Sequence, residues 1–101
     1  MHERIIKFER GSKFKKYKVK IQNKKTKKIR TLSFGDNRYQ QFRDRTPIKL
    51  YSNKNHGDKR RLKNYYSRHS GVKTRKAGIT KEKRKNKGYY TPKLLSHIYL
   101  W

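Results

Sequence analysis

His56-x-Asp58, with His69 further along, is the one grouping in this chain of the residue types that hold metal ions. Closed metal sites need about four ligands at defined spacing. No cysteine and no second carboxylate completes the set, and Asp58 is better placed to cap a helix. No metal or other cofactor is assigned. Acid–base chemistry finds equally little: Glu3, Glu9, Asp36, Asp44, Asp58 and Glu82 are the only acids, and no two form a close pair. There is no glycine-rich phosphate loop and no Ser or Cys nucleophile in a recognisable setting. The sequence therefore assigns no catalytic residue and argues against an enzyme.

What it offers instead is cations interleaved with aromatic rings. Thirty-two Lys and Arg against six acids give a formal charge of +26 over 101 residues, together with eight Tyr, four Phe and one Trp. Lys and Arg neutralise phosphates, and rings stack on exposed bases. The candidate polyanion or partner contacts are Lys15, Lys16, Lys18, Lys20, Lys24 and Lys25, then Arg61 and Arg68, then Lys83, Arg84 and Lys85. A lysine-rich strand face is also how edge strands avoid pairing with other chains. The two readings stand level here, because ten basic residues and no acid lie between Gly11 and Arg30 inclusive. Tyr17 and Tyr65 read as core residues, while Tyr89 and Tyr90 are open to either role.

Such a charge opposes compaction unless something neutralises it. Nucleic acid phosphates, anionic lipid headgroups and an acidic protein surface are the available partners. The opening "MHERIIKFERGSK" lacks the apolar region of a secretory signal. No apolar run approaches the roughly 20 residues that span a bilayer. The absence of cysteine excludes disulfides. The expected location is the cytosol, the nucleus or the inside of a particle.

The elements that must position these residues form an α+β domain. It consists of a small antiparallel β-meander of two or three strands with one or two short helices, long basic loops and an arm. "RIIKF" and "KIRTLSF" flank a strand in which Tyr17, Val19 and Ile21 alternate with lysines, a half-buried pattern. Residues 36–57 read as loop, with Tyr39 and Phe42 pinning it to the sheet and Pro47 breaking any helix. Asp58 caps a helix that runs to about His69 and stops at Gly71, with Asp58, Leu62, Tyr65 and His69 on one face. Residues 1–71 thus form the core. Residues 72–90, with eight basic residues up to Gly88 and no apolar period, read as an extended basic arm. Residues 91–101 close the chain as a docking helix. Thr91 caps it, Pro92 takes its first position, and Leu94, Ile98 and Trp101 share one side with Leu95 beside them. That helix is too short to persist alone, so it docks either on the domain itself, with Trp101 over Tyr17 and Tyr65, or on a partner.

Several of these residues also carry a resemblance. Lys15-Lys16-Tyr17-x-Val19, Phe34-Gly35, Tyr39, Phe42, His56-x-Asp58-x-x-Arg61-x-x-x-Tyr65-x-x-Arg68-His69, Leu95-Ser96 and Leu100-Trp101 resemble a group of small basic proteins encoded by nucleocytoplasmic large DNA viruses of algae and amoebae. The chain departs from that group in a longer stretch between Phe42 and His56, in Lys93 where a glycine is expected, and in the inserted "KEKRKNK". The resemblance implies a giant-virus protein and leaves its step open. A structural component of the virion stands first, as a minor capsid or internal cementing protein bridging larger capsid subunits or an anionic surface. It would act in the virion and, during assembly, in host cytoplasm or nucleus. An apolar terminal anchor beside a basic arm suits that role. A nucleic-acid-binding protein, DNA-condensing or RNA-binding in the manner of ribosomal proteins, is the alternative.

Overall fold

Three strands follow one another directly in the computed structural model, which describes all residues from 1 to 101. They are β1 (Glu3–Arg10), β2 (Lys15–Asn23) and β3 (Ile29–Asp36), antiparallel in the order β1-β2-β3. The α+β meander expected from the sequence is the fold observed. The tight β1–β2 turn rests on Gly11, where a side chain would meet the backbone nitrogen of Tyr17 at 2.9 Å. Asn23 builds the second turn: its Oδ1 accepts from the backbone of Lys25 (2.9 Å) and Thr26 (3.0 Å). Tyr17, Val19 and Ile21 are fully buried, and they form the core with Phe34, Leu95 and Leu100. Each such side chain stabilises the fold by about 1.5–3 kcal/mol relative to exposure.

The loop after β3 is fastened by polar groups rather than by both expected rings. Tyr39 is 65 % exposed, so it pins nothing, while Phe42 is half-buried edge-on to His56. The buried Asp44 carboxylate accepts from the Tyr17 hydroxyl, from Thr46 Oγ1 (2.6 Å) and from the Tyr51 backbone (3.1 Å). Gln41, also buried, donates to Tyr51 O (2.8 Å) and Asn55 Oδ1 (2.7 Å). Buried polar groups satisfied in this way hold a loop whose Tyr39, Ile48 and Leu50 stay exposed.

Helix α1 (Lys59–Ser70) begins at Asp58, whose carboxylate accepts from Arg60 N (2.9 Å) and Arg61 N (3.2 Å). It ends one residue beyond the expected His69, at a left-handed Gly71 (φ 63°). Its buried stripe is Tyr65, Tyr66 and Ser70; Leu62 is half-buried and His69 exposed, so the expected face is turned toward Tyr66.

The extended arm over 72–90 is corrected by the structure. Residues Arg75–Lys85 form helix α2, capped by Thr74 Oγ1 accepting from Ala77 N (3.2 Å). No apolar stripe announces it, because one glycine and one acid make its contact. Gly78 lies against the ring of Tyr66, and the buried Glu82 accepts from Ser70 Oγ (3.2 Å). Residues 88–90 then cross the end of the sheet, from His2 before β1 to Arg30 on β3. His2 N donates to Gly88 O (2.9 Å), and the buried Glu3 takes both Arg30 (2.7 Å) and Tyr90 N (2.8 Å). Tyr90 packs on the core, whereas Tyr89 stays 42 % exposed beside His2.

Helix α3 (Pro92–Tyr99) starts where expected, with Thr91 Oγ1 accepting from Leu94 N (3.1 Å). It docks on the domain itself, against β3 and α2. Leu94, Leu95, His97 and Leu100 are buried, while Ile98 and Trp101 are only half-buried. Trp101 stacks on Tyr65 with ring centres 4.3 Å apart and planes 3° from parallel. It does not cover Tyr17, which packs instead on Phe34 and Tyr51.

Candidate polyanion interface

The six acids are all used within the molecule. Glu3 holds Arg30, Asp58 caps α1, and Asp44 and Glu82 are buried in hydrogen bonds. Arg38 grips Asp36 at 2.7 and 3.0 Å, and that hydrogen-bonding cation brings the carboxyl down to about 2. Glu9 sits among Lys7, Lys18 and Lys20 at 3.5, 3.5 and 3.8 Å. Ion pairs therefore engage only Lys7, Lys18, Lys20, Arg30 and Arg38 out of 32 cationic side chains. The surface has no anion of its own to offer the rest.

The largest concentration of these features with depth is a groove between the end of β3, α1 and α3. It encloses about 570 Å³ and is lined by Lys15, Lys16, Arg68 and Lys93, with Tyr39, Tyr65 and Trp101 among its walls. The turn of the chain at Gly35 (φ 76°) shapes its floor: a side chain there would meet Leu100 Cδ1 at 2.8 Å. Lys15, Arg68 and Lys93 are exposed. Lys93 reaches His69 O at 3.3 Å, which leaves its charge uncompensated.

Lys16 departs from the expected surface contact. It is 2 % exposed, and its ammonium donates to Gln41 Oε1. Burial, helped by the nearby Lys54, brings its pKa down to about 8. It is a buried charge in the groove floor, held for the loop at Gln41. The other candidates are dispersed. Lys18 and Lys20 ring Glu9 on the sheet; Lys24 and Lys25 line a smaller cleft with His2 and Tyr89; Arg61 is exposed and bonds Gln40 (2.8 Å). Lys83, Arg84 and Lys85 form the exposed last turn of α2, where they complement the helix dipole. The structure thus gathers Lys15, Lys16, Arg68 and Trp101. It adds Tyr39 and Lys93, which the sequence analysis had assigned to pinning a loop and to a departure from a motif.

Two clusters that could suggest other chemistry are packing networks. His56 Nδ1 accepts from Asp58 N (2.9 Å), and no three His, Cys, Asp or Glu side chains are arranged to hold a metal ion. Ser70, His97 and Glu82 lie together, but the carboxylate contacts the serine rather than the histidine. Ser70 donates to Glu82, so His97 Nε2–H donates to Ser70 Oγ (2.7 Å) and Nδ1 accepts from Tyr65 OH (2.8 Å). Every member is satisfied and the set is sealed from solvent, with His97 at 0 % exposure. Burial lowers the His97 pKa to about 4, so the ring is neutral at pH 7. Comparison of the chain with protein-family models, curated proteins and solved structures finds no match.

Proposed function

We propose that this protein binds polyanions through its surface cations, with nucleic acid phosphates as the principal partner. One observation carries this: every carboxylate side chain has a partner within the molecule, while all but five of the 32 Lys and Arg side chains are outside ion pairs. A fold whose few acids are already engaged leaves neutralisation of its remaining cations to whatever it meets. Internal docking of α3 also removes the free apolar anchor that favoured a capsid role. The test is duplex DNA affinity against salt: log Kd against log salt should be steep, with roughly 0.9 in the slope per phosphate contacted. A flat dependence would reject the reading.

A second reading, a minor capsid or internal cementing protein of a large DNA virus, draws on the resemblance and on exposed apolar side chains. Phe14 is 58 % and Ile29 57 % exposed, and each offers an apolar contact to a partner. Here an acidic face of a larger capsid protein replaces phosphate, and the protein resides in the virion after assembly in host cytoplasm or nucleus. Co-fractionation with shells freed of genome supports this reading; loss together with the genome supports the first. No helix is long and apolar enough to cross a membrane.

A further inference from the structure

We propose that the groove between β3, α1 and α3 takes single-stranded nucleic acid, with an unpaired base lying on Tyr39 and the adjoining phosphates on Lys15, Arg68 and Lys93. This rests on the nucleic-acid reading above and narrows it to one substrate class. Charge alone does not distinguish strands, since any phosphate backbone meets unpaired lysines equally well. What distinguishes them is an aromatic face that a base can reach, and bases in a duplex keep theirs stacked on one another.

Tyr39 supplies that face. It lines the groove at 65 % exposure, the most exposed of the large hydrophobic side chains. Its only aromatic-face neighbour is the Arg38 guanidinium, 5.8 Å from the ring centre. A ring left 65 % exposed forgoes most of the stabilisation that burial would give it in the free protein. Trp101 also lines the groove, stacked on Tyr65 and half-buried. The only acidic side chain at the groove is Asp36, and Arg38 occupies both of its oxygens. A phosphate entering between Lys15, Arg68 and Lys93 therefore meets no free carboxylate side chain. The volume of about 570 Å³ falls within the range of sites that hold compact organic groups, about 300–1,000 Å³.

The test uses the full chain with three probes at one salt concentration: an oligothymidine, a duplex of equal length, and heparin. Trp101 is the only tryptophan, so its emission reports on the groove. We expect oligothymidine to change that emission, and heparin to bind without doing so. Tyr39→Ala should weaken oligothymidine binding by about 5- to 150-fold, the worth of one stacked base, while the salt slope and the duplex affinity stay as they were. Tyr39→Phe should retain binding. Because the ring is 65 % exposed and no part of the hydrophobic core, the substitution leaves the fold intact. If Tyr39→Ala binds oligothymidine as well as the parent, or loses duplex and heparin equally, the single-strand assignment is wrong while polyanion binding stands. If none of the three probes binds, both readings fall.

Discussion

Gly78→Ala sets two physical effects against each other. In an exposed helix this exchange stabilises by about 1 kcal/mol through helix propensity. At Gly78 the new methyl would lie 2.7 Å from Tyr66 Cε1 and closer still to Cδ1, where carbon atoms pack at about 3.5–4.0 Å. The tyrosine cannot yield. It is 1 % exposed, its hydroxyl donates to His97 O at 2.9 Å, and it stands edge-on to Tyr65 and His97. Helix α2 must instead move outward by about 1 Å, which strains the Glu82–Ser70 bond at 3.2 Å. Overpacking of this kind costs about 1–3 kcal/mol. With the weakened buried hydrogen bond added, it outweighs propensity, and we expect a net loss near 2 kcal/mol. For a chain of this size that lowers the melting temperature by about 10 °C. Circular dichroism melts and urea titrations in one buffer measure it. Thr80→Ala, on the exposed side of the same helix, serves as the control and should stabilise by a few tenths of a kcal/mol. A Gly78→Ala protein as stable as the parent, or one that behaves like the control, would refute the close packing of α2 on α1.

Three further outcomes follow from buried groups and a cap. His97 is held neutral, with a folded pKa of about 4 below its ordinary 6.5, so its contribution is complete above pH 6.5 and is lost as pH falls towards 4. Urea unfolding between those values should show a loss approaching 3 kcal/mol, reinforced by His56 and His69, which burial shifts the same way; a level profile would contradict the buried network. Lys16 has the same sign at higher pH: its depressed pKa makes the fold gain stability from about pH 8 upward, roughly 2 kcal/mol by pH 9.5. Lys16→Met should abolish that gain, and an unaltered alkaline profile in the variant would place the titration elsewhere. Asp58→Ala should cost about 0.5–2 kcal/mol in chemical denaturation, against no change if the cap is idle.

The sequence disclosed what depends on period and on local turn chemistry. The alternation of Tyr17, Val19 and Ile21, the Asp58 cap, the Gly71 stop and the Thr91-Pro92 start all register within a few residues of the group they organise. Helix α2 escaped because its contact is made by absence, a missing Cβ at Gly78 beside Tyr66, and by one buried acid. A charge pattern rich in lysine gives no sign of either. Lys16 misled for a related reason: the lysines around it, Lys13, Lys15 and Lys20, are exposed, and its burial goes with Gln41, 25 residues away. The groove was half legible. Lys15, Arg68 and Trp101 were singled out as separate contacts, yet only the docking of α3 beside α1 places them with Tyr39 and Lys93.

Glu3 joins the two extremes of the fold, since its carboxylate meets the backbone of Tyr90 across 87 positions while also holding Arg30. Leu95 and Leu100 likewise complete a core begun at Tyr17. The meander's contacts are local and quick to form, but the closing contacts require a long loop to come together before they return any energy. That loop is studded with like charges, so its closure works against a repulsion that the folded acids relieve only at the end. At low ionic strength this repulsion acts over tens of ångströms; at physiological salt it fades beyond about 8 Å. Folding should therefore accelerate as salt is added, and more sharply on a multivalent anion. A polyanionic partner of the kind proposed would thus also act earlier, as the scaffold on which the chain closes.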